Sequence, residues 1–315
     1  MPPAASKTET LSAPELRIST VKDYFALLKP RVMSLVLFTG VAGLVIAPGE
    51  IHPLIAVVAL LCIALGAGAS GALNMAYDAD IDAVMSRTEK RPIPRGAILP
   101  ADAYAFGTIF AVASVSMMWL FVNAMAAGLL AFTIGFYFFV YTTWLKRRTP
   151  QNIVVGGLAG ALPPAIGWAS VTGSLDIAPL VLVGIIFLWT PPHFWALSLY
   201  RSDDYARARV PMLPVVAGRA ETCKQMVLYS IVLLVAGISP VALGFGGPVY
   251  LAASIGLGLW FLYLSVAVLR ETDKQREPNA RRLFGVSILY LFALFAALIV
   301  EKVLGLGPVA ALVVG

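Results

Sequence analysis

An all-α polytopic membrane protein with nine transmembrane helices is the fold class the sequence predicts, on three observations. Hydrophobic residues make up 59% of the 315 residues, charged ones 13%, and the mean hydropathy is +0.85, whereas soluble domains carry about a quarter charged residues. Nine apolar runs are long enough to cross roughly 30 Å of hydrocarbon, which takes about 20 helical residues. The basic residues gather in alternate connections between those runs.

In order, the runs are 31–48, 53–76, 101–122, 124–145, 152–172, 177–200, 222–243, 248–269 and 283–304. The first is short unless it begins near Leu27. The joins at 48–53 and 122–124 leave room only for antiparallel helix hairpins. Pro163-Pro164 and Pro191-Pro192 lie inside runs, where prolines are tolerated in membrane helices and are expected to kink them. Of the 23 Lys and Arg, only Lys302 falls outside the N-terminal segment and the connections after the second, fourth, sixth and eighth runs. Positive-inside bias then makes the N-terminus and those connections cytoplasmic, and an odd number of spans puts the C-terminus outside. This arrangement accounts for the net charge of +6 without any nucleic-acid partner.

Residues 1–22 are expected to form a polar, flexible tail, 23–305 a single transmembrane domain and 306–315 a short C-terminal tail. The first 20 residues lack the apolar stretch of a cleavable signal, and Glu9 and Glu15 argue against a mitochondrial transit peptide. A bacterial inner membrane is the expected location. Cys62 and Cys223 fit neither a disulfide framework nor a cysteine metal site and are read as packing residues.

The polar chemistry concentrates in residues 74–95, NMAYDADIDAVMSRTEKRPIPR. Asn74, Asp78 and Asp82 are spaced i, i+4, i+8, so a helix continuing from the second run presents all three on one face, with Asp80 on the other. Carboxylates one turn apart repel unless a cation sits between them, and hard divalent cations of the Mg2+ type take such oxygens. Arg87, Lys90, Arg91 and Arg95 follow in a loop that Pro92 and Pro94 hold extended. Carboxylates that can hold a metal, beside a basic loop, suit a phosphate-bearing substrate. Positive-inside bias predicts the cations by itself; it does not predict the aspartates.

Other candidates lie on the same side. Lys29-Pro30-Arg31 reads equally as an interfacial anchor and as a phosphate contact. Lys146 opens a basic turn that leads through Asn152 into a Gly-rich helix, whose N-terminus favours anions; a topology signal explains the turn equally well. Arg201, Asp203 and Asp204 form a second acidic cluster, expected to close on a shared cavity with the first. His193, among aromatics in the sixth run, could ligate iron, act as a base or be a hydrogen-bonded structural residue. His52 is assigned to solvent, the runs beyond 222 to packing and lipid contact, and 270–282 to a solvated connector.

These residues resemble the UbiA superfamily of intramembrane prenyltransferases, and within it the branch that farnesylates haem. The resemblance covers about residues 25–300. It is carried by the Asn74, Asp78, Asp82 stripe running into RTEKRPIPRG (87–96), by Leu28-Lys29-Pro30-Arg31, by TPQNIVVGG (149–157), by WTPPHFWALSL (189–199), and by Val210-Pro211-Met212-Leu213-Pro214. It implies a nine-helix bundle around a cavity open to the cytoplasm and the lipid. Farnesyl diphosphate would bind there through Mg2+, and haem B would accept the farnesyl chain to give haem O. By position, the resemblance implies that Asn74, Asp78 and Asp82 are the first metal site and Asp203 and Asp204 a second. Lys29, Arg87, Lys90, Arg91, Arg95, Lys146, Asn152 and Arg201 would contact the diphosphate, and His193 the haem. Asp78, Asp82 and His193 would be catalytic. Haem A synthase or oxidase assembly factors are the implied protein partners.

Two departures from the superfamily pattern stand out. Arg201 and Tyr205 occupy positions that often carry carboxylates, and Arg209 stands where the haem branch usually has Gly. The latter change implies a local backbone with no need for positive φ. Two other functions fit the charge pattern: a related enzyme that prenylates an aromatic quinone precursor, and a transporter of isoprenoid or organic anions. The transporter reading lacks the internal repeat such proteins commonly show.

Overall fold

The computed structural model describes residues 19–307, which contain helices and their connections and no strand. Eight helical spans are long and apolar enough to cross a membrane, and a ninth is obtained if α1 (Val21–Leu27) and α2 (Pro30–Ile46), bent by 51° to one another, count as one. The protein is therefore a multi-pass membrane protein. Residues 1–18 and 308–315, most of the two expected tails, lie outside the described residues. Within them, Val21 and Lys22 already belong to α1, which Thr20 starts through a reciprocal capping box with Asp23.

The bend between α1 and α2 falls at Lys29, whose φ of 51° is left-handed. Pro30 cannot donate a hydrogen bond and restricts the residue before it, so a new helix starts there at a new angle. The long α3 (Pro53–Tyr77) ends at Asp78, and a short α4 (Ala79–Val84) follows directly: the Asp78 and Asp82 amides still donate to Asn74 and Asp78 carbonyls at 3.0 and 2.8 Å. His52 caps α3 by accepting from the Leu54 amide at 3.2 Å, a role beyond the solvent position expected of it.

After α5 (Pro100–Phe121) and α6 (Ala124–Gly135), the helix widens into a π-helical segment, Phe136–Leu145. Such widened turns are uncommon and gather at functional sites. The fifth run is broken, as its two prolines required, into α7 (Asn152–Ala161) and α8 (Pro163–Thr172). By contrast α9 (Ile177–Leu199) runs unbroken through Pro191-Pro192. Beyond it come the short α10 (Ser202–Arg207) and α11 (Leu213–Val216), then α12 (Gly218–Ala242), α13 (Pro248–Leu269) and α14 (Pro278–Leu304). Both α12 and α14 begin before their apolar runs, because hydropathy registers only the part of a helix inside the bilayer.

The main core joins α2, α7, α8, α9 and α12–α14 around Trp189, Trp195, Tyr250, Tyr290 and Phe295. Cys62 and Cys223 are both fully buried, as packing residues should be. Outward-facing Ile109, Trp119, Phe121, Phe132, Phe139 and Trp144 present the apolar surface that lipid contact requires.

Two loop expectations need correction. The 270–282 connection is not wholly solvated: Glu277 is 2% exposed and accepts from Arg219 Nε at 2.5 Å, while Arg219 Nη2 donates to the Val268 carbonyl at 2.7 Å. This pair ties α12, α13 and the start of α14 together. Replacing Arg219 by Met strands a buried carboxylate, and we expect a loss of about 3 kcal/mol, seen as a lower midpoint in thermal unfolding in detergent.

Arg209 is the second correction, since its φ is 53°. The amides of Arg209 and Val210 donate back to the carbonyls of Ala206 and Tyr205, at 3.0 Å each. That is the closure that ends a helix on a left-handed residue, so α10 needs positive φ here whatever side chain is present. Arg209→Gly should stabilise the fold by about 0.5–1 kcal/mol, net of glycine's greater unfolded-state entropy, with a matching rise in unfolding midpoint.

Candidate active site

The Asn74, Asp78, Asp82 stripe is buried, at 4%, 0% and 2% exposed. Charged and amide groups at such depth persist only when partnered, and each partner comes from a different element. Lys29 Nζ, at the α1–α2 bend, donates to Asn74 Oδ1 at 2.8 Å. Asn74 Nδ2 donates to Asp78 Oδ2 at 2.7 Å and to Thr142 Oγ1 of the π-helical segment at 3.2 Å. Lys146, just past that segment, forms an ion pair with Asp78. Arg91, from the Pro-rich loop, donates to Asp82 Oδ2 at 2.6 Å.

Asp80 points away, as the spacing predicted, and takes a two-pronged hydrogen bond from Arg147 at 2.7 and 2.8 Å. That guanidinium holds the Asp80 carboxyl below the usual carboxylate range. Arg147 also lies over the Tyr77 ring and 3.6 Å from Asp78 Oδ1. It was not singled out from the sequence, where nothing distinguishes it from Lys146 and Arg148 beside it.

The donor set fits a hard divalent cation. Asp78 Oδ1 is buried without a hydrogen-bond partner, although its carboxylate touches two cationic side chains. An anionic oxygen so placed, with Asp82 and the Asn74 amide one helical turn to either side, is the oxygen ligation that Mg2+ takes alongside substrate phosphates. Among the described residues no three His, Cys, Asp or Glu converge, so such an ion would rest on two carboxylates and an amide.

The second acidic cluster does not join the first. Asp203 is exposed, and Asp204 accepts from Ser86 at 2.7 Å and pairs with Arg207 and Arg201. Burial tends to raise the Asp204 pKa, but the Ser86 hydrogen bonds and the two arginines outweigh it and hold it down. Its carboxylate therefore ties α10 to the loop after α4. The basic set divides in the same way: Lys29, Arg91 and Lys146 reach the stripe, Arg95 pairs with Asp23 on α1, and Arg87 and Lys90 are exposed. Asn152 is fully buried, donating to the Thr149 carbonyl at 2.6 Å, with Oδ1 unpartnered.

Beside the stripe lies a mostly apolar chamber of about 830 Å³, lined from α2, α3, α6, the π-helical segment, α7, α8, α9 and α14. Lys29 and Gly71 line it where it approaches the stripe, and Tyr137 and Tyr141 face it from the π-helical segment. The Tyr141 ring packs so closely on Gly156 that no Cβ would fit there, which explains the Gly-rich start of α7.

His193 also lines the chamber, stacked between Trp189 and Phe284 at centroid distances of 4.3 and 4.6 Å. Its Nδ1 lies 2.6 Å from Ser287 Oγ. The last span thus supplies chamber wall (Phe284, Ile288, Phe292) and a partner to His193. Its sequence gave no sign of this, because an apolar residue facing a chamber and one facing lipid read alike.

The chain matches the UbiA prenyltransferase family over residues 36–288. It is 58% identical over 307 residues to a protein of Parvibaculum lavamentivorans named protoheme IX farnesyltransferase, covering 97% of this chain and 96% of that one. A protein of the same name from Sinorhizobium fredii is 59% identical over 290 residues, covering 91% of each. In fold the chain is similar to digeranylgeranylglyceryl phosphate synthase (TM-score 0.74, 18% identity, covering 90% of this chain and 98% of that one). It is also similar to a UbiA homologue from Archaeoglobus fulgidus solved with DMAPP and Mg2+ (TM-score 0.64, 16% identity, covering 88% and 99%). The buried acidic stripe, the chamber beside it and this likeness in sequence along nearly the whole chain have one reading: the chain belongs to the UbiA prenyltransferase family.

Proposed function

We propose that the chain transfers the farnesyl group of farnesyl diphosphate to a vinyl group of haem B, giving haem O and diphosphate. The observation that carries the acceptor is the 58–59% identity, over nine-tenths of the chain or more, to proteins named protoheme IX farnesyltransferase. The geometry supports the chemistry. A chamber near the top of the usual 300–1,000 Å³ range of ligand sites suits two large apolar substrates.

Asn74, Asp78 and Asp82 would hold Mg2+, which supplies positive charge against the diphosphate as it departs. Lys29, Arg91 and Lys146, now bonded to the stripe, are placed to turn to phosphate oxygens and stabilise the same charge. The apolar walls exclude bulk water from the allylic cation, so that the vinyl carbon reaches it first. Tyr137 and Tyr141 line the chamber on the stripe side, where their rings can face that cation.

The single domain spans residues 23–305, in a bacterial inner membrane, with the N-terminus and the acidic stripe cytoplasmic. The lipophilic product would pass to haem A synthase or an oxidase assembly factor.

Purified protein given haem B, farnesyl diphosphate and Mg2+ should add farnesyl and water to the porphyrin, read by mass, and a chelator should stop it. Diphosphate release with an aromatic acid but not with haem B would replace this reading with quinone-precursor prenylation. Isoprenoid movement across vesicles that survives loss of Asp78 and Asp82 would replace it with transport.

A further inference from the structure

Ser287 is the one residue of α14 that touches α9 through both its backbone and its side chain by hydrogen bonds. Trp189 Nε1 donates to the Ser287 carbonyl at 2.8 Å, and Ser287 Oγ makes two short contacts, to the Phe284 carbonyl at 2.7 Å and to His193 Nδ1 at 2.6 Å. A hydroxyl has one hydrogen and an amide carbonyl none. If the hydroxyl hydrogen went to His193, two oxygen lone pairs would face each other at 2.7 Å. Both contacts are bonded only when Ser287 donates to Phe284 and His193 Nδ1–H donates to Ser287.

His193 forms no ion pair among the described residues, and its faces are covered by Trp189 and Phe284. The ring is therefore neutral with Nε2 unprotonated. Nε2 has no partner and is not among the fully enclosed polar atoms, and His193 lines the chamber. The other polar side chains lining the chamber are hydroxyls, phenols, the Trp189 indole N–H, which is taken by the Ser287 carbonyl, and the basic Lys29 and Arg31 toward its other end. Beside Ser287, Nε2 is the nitrogen with a lone pair free to accept a proton.

Resting on the farnesyl transfer above, we infer that Ser287 is a positioning residue: it fixes His193 as the Nδ1–H tautomer, so that Nε2 receives the proton of the water that completes the product. When the vinyl carbon bonds to the allylic carbon, a cation is left on the porphyrin-side carbon. The water oxygen gives a lone pair to that carbon, an O–H bond breaks, its electron pair stays on oxygen, and the proton passes to Nε2. Farnesyl diphosphate, haem B and water thus become haem O, diphosphate and a proton. Water bound to a carbocation is a strong acid, so a neutral imidazole suffices.

The chain has two histidines, so 15N-histidine labelling of a His52→Gln variant leaves one imidazole to observe. We expect NMR in detergent to show protonated Nδ1 and unprotonated Nε2 in this protein and in Ser287→Thr, and a mixture of tautomers in Ser287→Ala. Turnover should fall about tenfold or more in Ser287→Ala, less than the roughly 10²–10⁴-fold carried by a base itself because the imidazole stays and only its orientation is lost, with KM for both substrates unchanged and recovery in Ser287→Thr. Protonated Nε2 in the unaltered ring would overturn the inference whatever the activity. So would a Ser287→Ala enzyme with full turnover, or one in which only KM or thermal stability changes. The expected tautomer in a protein that does not act on haem B would instead sink the farnesyl transfer reading and leave the ring assignment standing.

Discussion

Asp78→Asn should reduce farnesyl transfer by about 10² to 10³-fold or more while leaving a folded protein, measured as product per minute at saturating substrates and Mg2+. The substitution keeps the shape of the side chain and an oxygen to accept from Lys146 and Asn74. It removes the charge on a fully buried carboxylate whose second oxygen has no hydrogen-bond partner. Lys146, 15% exposed, then lacks its counter-ion, and stability should fall by as much as about 3 kcal/mol. Adding Lys146→Met removes the stranded cation, so the double variant should regain stability and remain inactive. Activity that returned with stability would show that the carboxylate serves packing and not the reaction.

Gly43→Ala should destabilise the protein more than any other single methyl added at the helix crossings, by about 3 kcal/mol. Here α2 and α8 touch backbone to backbone: a Cβ on Gly43 would overlap the Pro164 carbonyl, and one on Gly167 would overlap the Gly40 carbonyl. Close approach of this kind is how membrane helices gain packing energy when the surrounding lipid is as apolar as they are. Nothing flexible lies opposite, so the helices must separate. Because Met33, Phe38, Pro163 and Ile166 of these helices line the chamber, activity should fall along with the unfolding midpoint. Gly128→Ala, with open space around its Cβ position, is the control and should change neither.

Hydropathy and composition made the bundle legible, because a bilayer imposes a length and an apolar surface on each span. They could not show that the fourth span finishes as a π-helical segment. That widening carries Tyr137, Tyr141 and Thr142 and ends at Lys146 beside Asp78, and the Tyr141 ring it presents packs on Gly156 of α7. The i, i+4, i+8 spacing placed Asn74, Asp78 and Asp82 on one face correctly, since it depends only on local geometry. For Asp203 and Asp204 the expectation rested on two acidic clusters sharing one membrane face, and that does not say which carboxylate turns inward or that Ser86 and two arginines will occupy it.

The sequence by itself determined the helical class, the spans within a few residues, the acidic stripe and the family. Each rests on composition, on periodicity or on residues close together along the chain. Only the tertiary structure decided which cations meet the stripe, that α14 walls the chamber, and that Ser287 holds His193. Those contacts join residues that are distant in sequence, and an apolar or basic residue carries no mark of the neighbour it will meet.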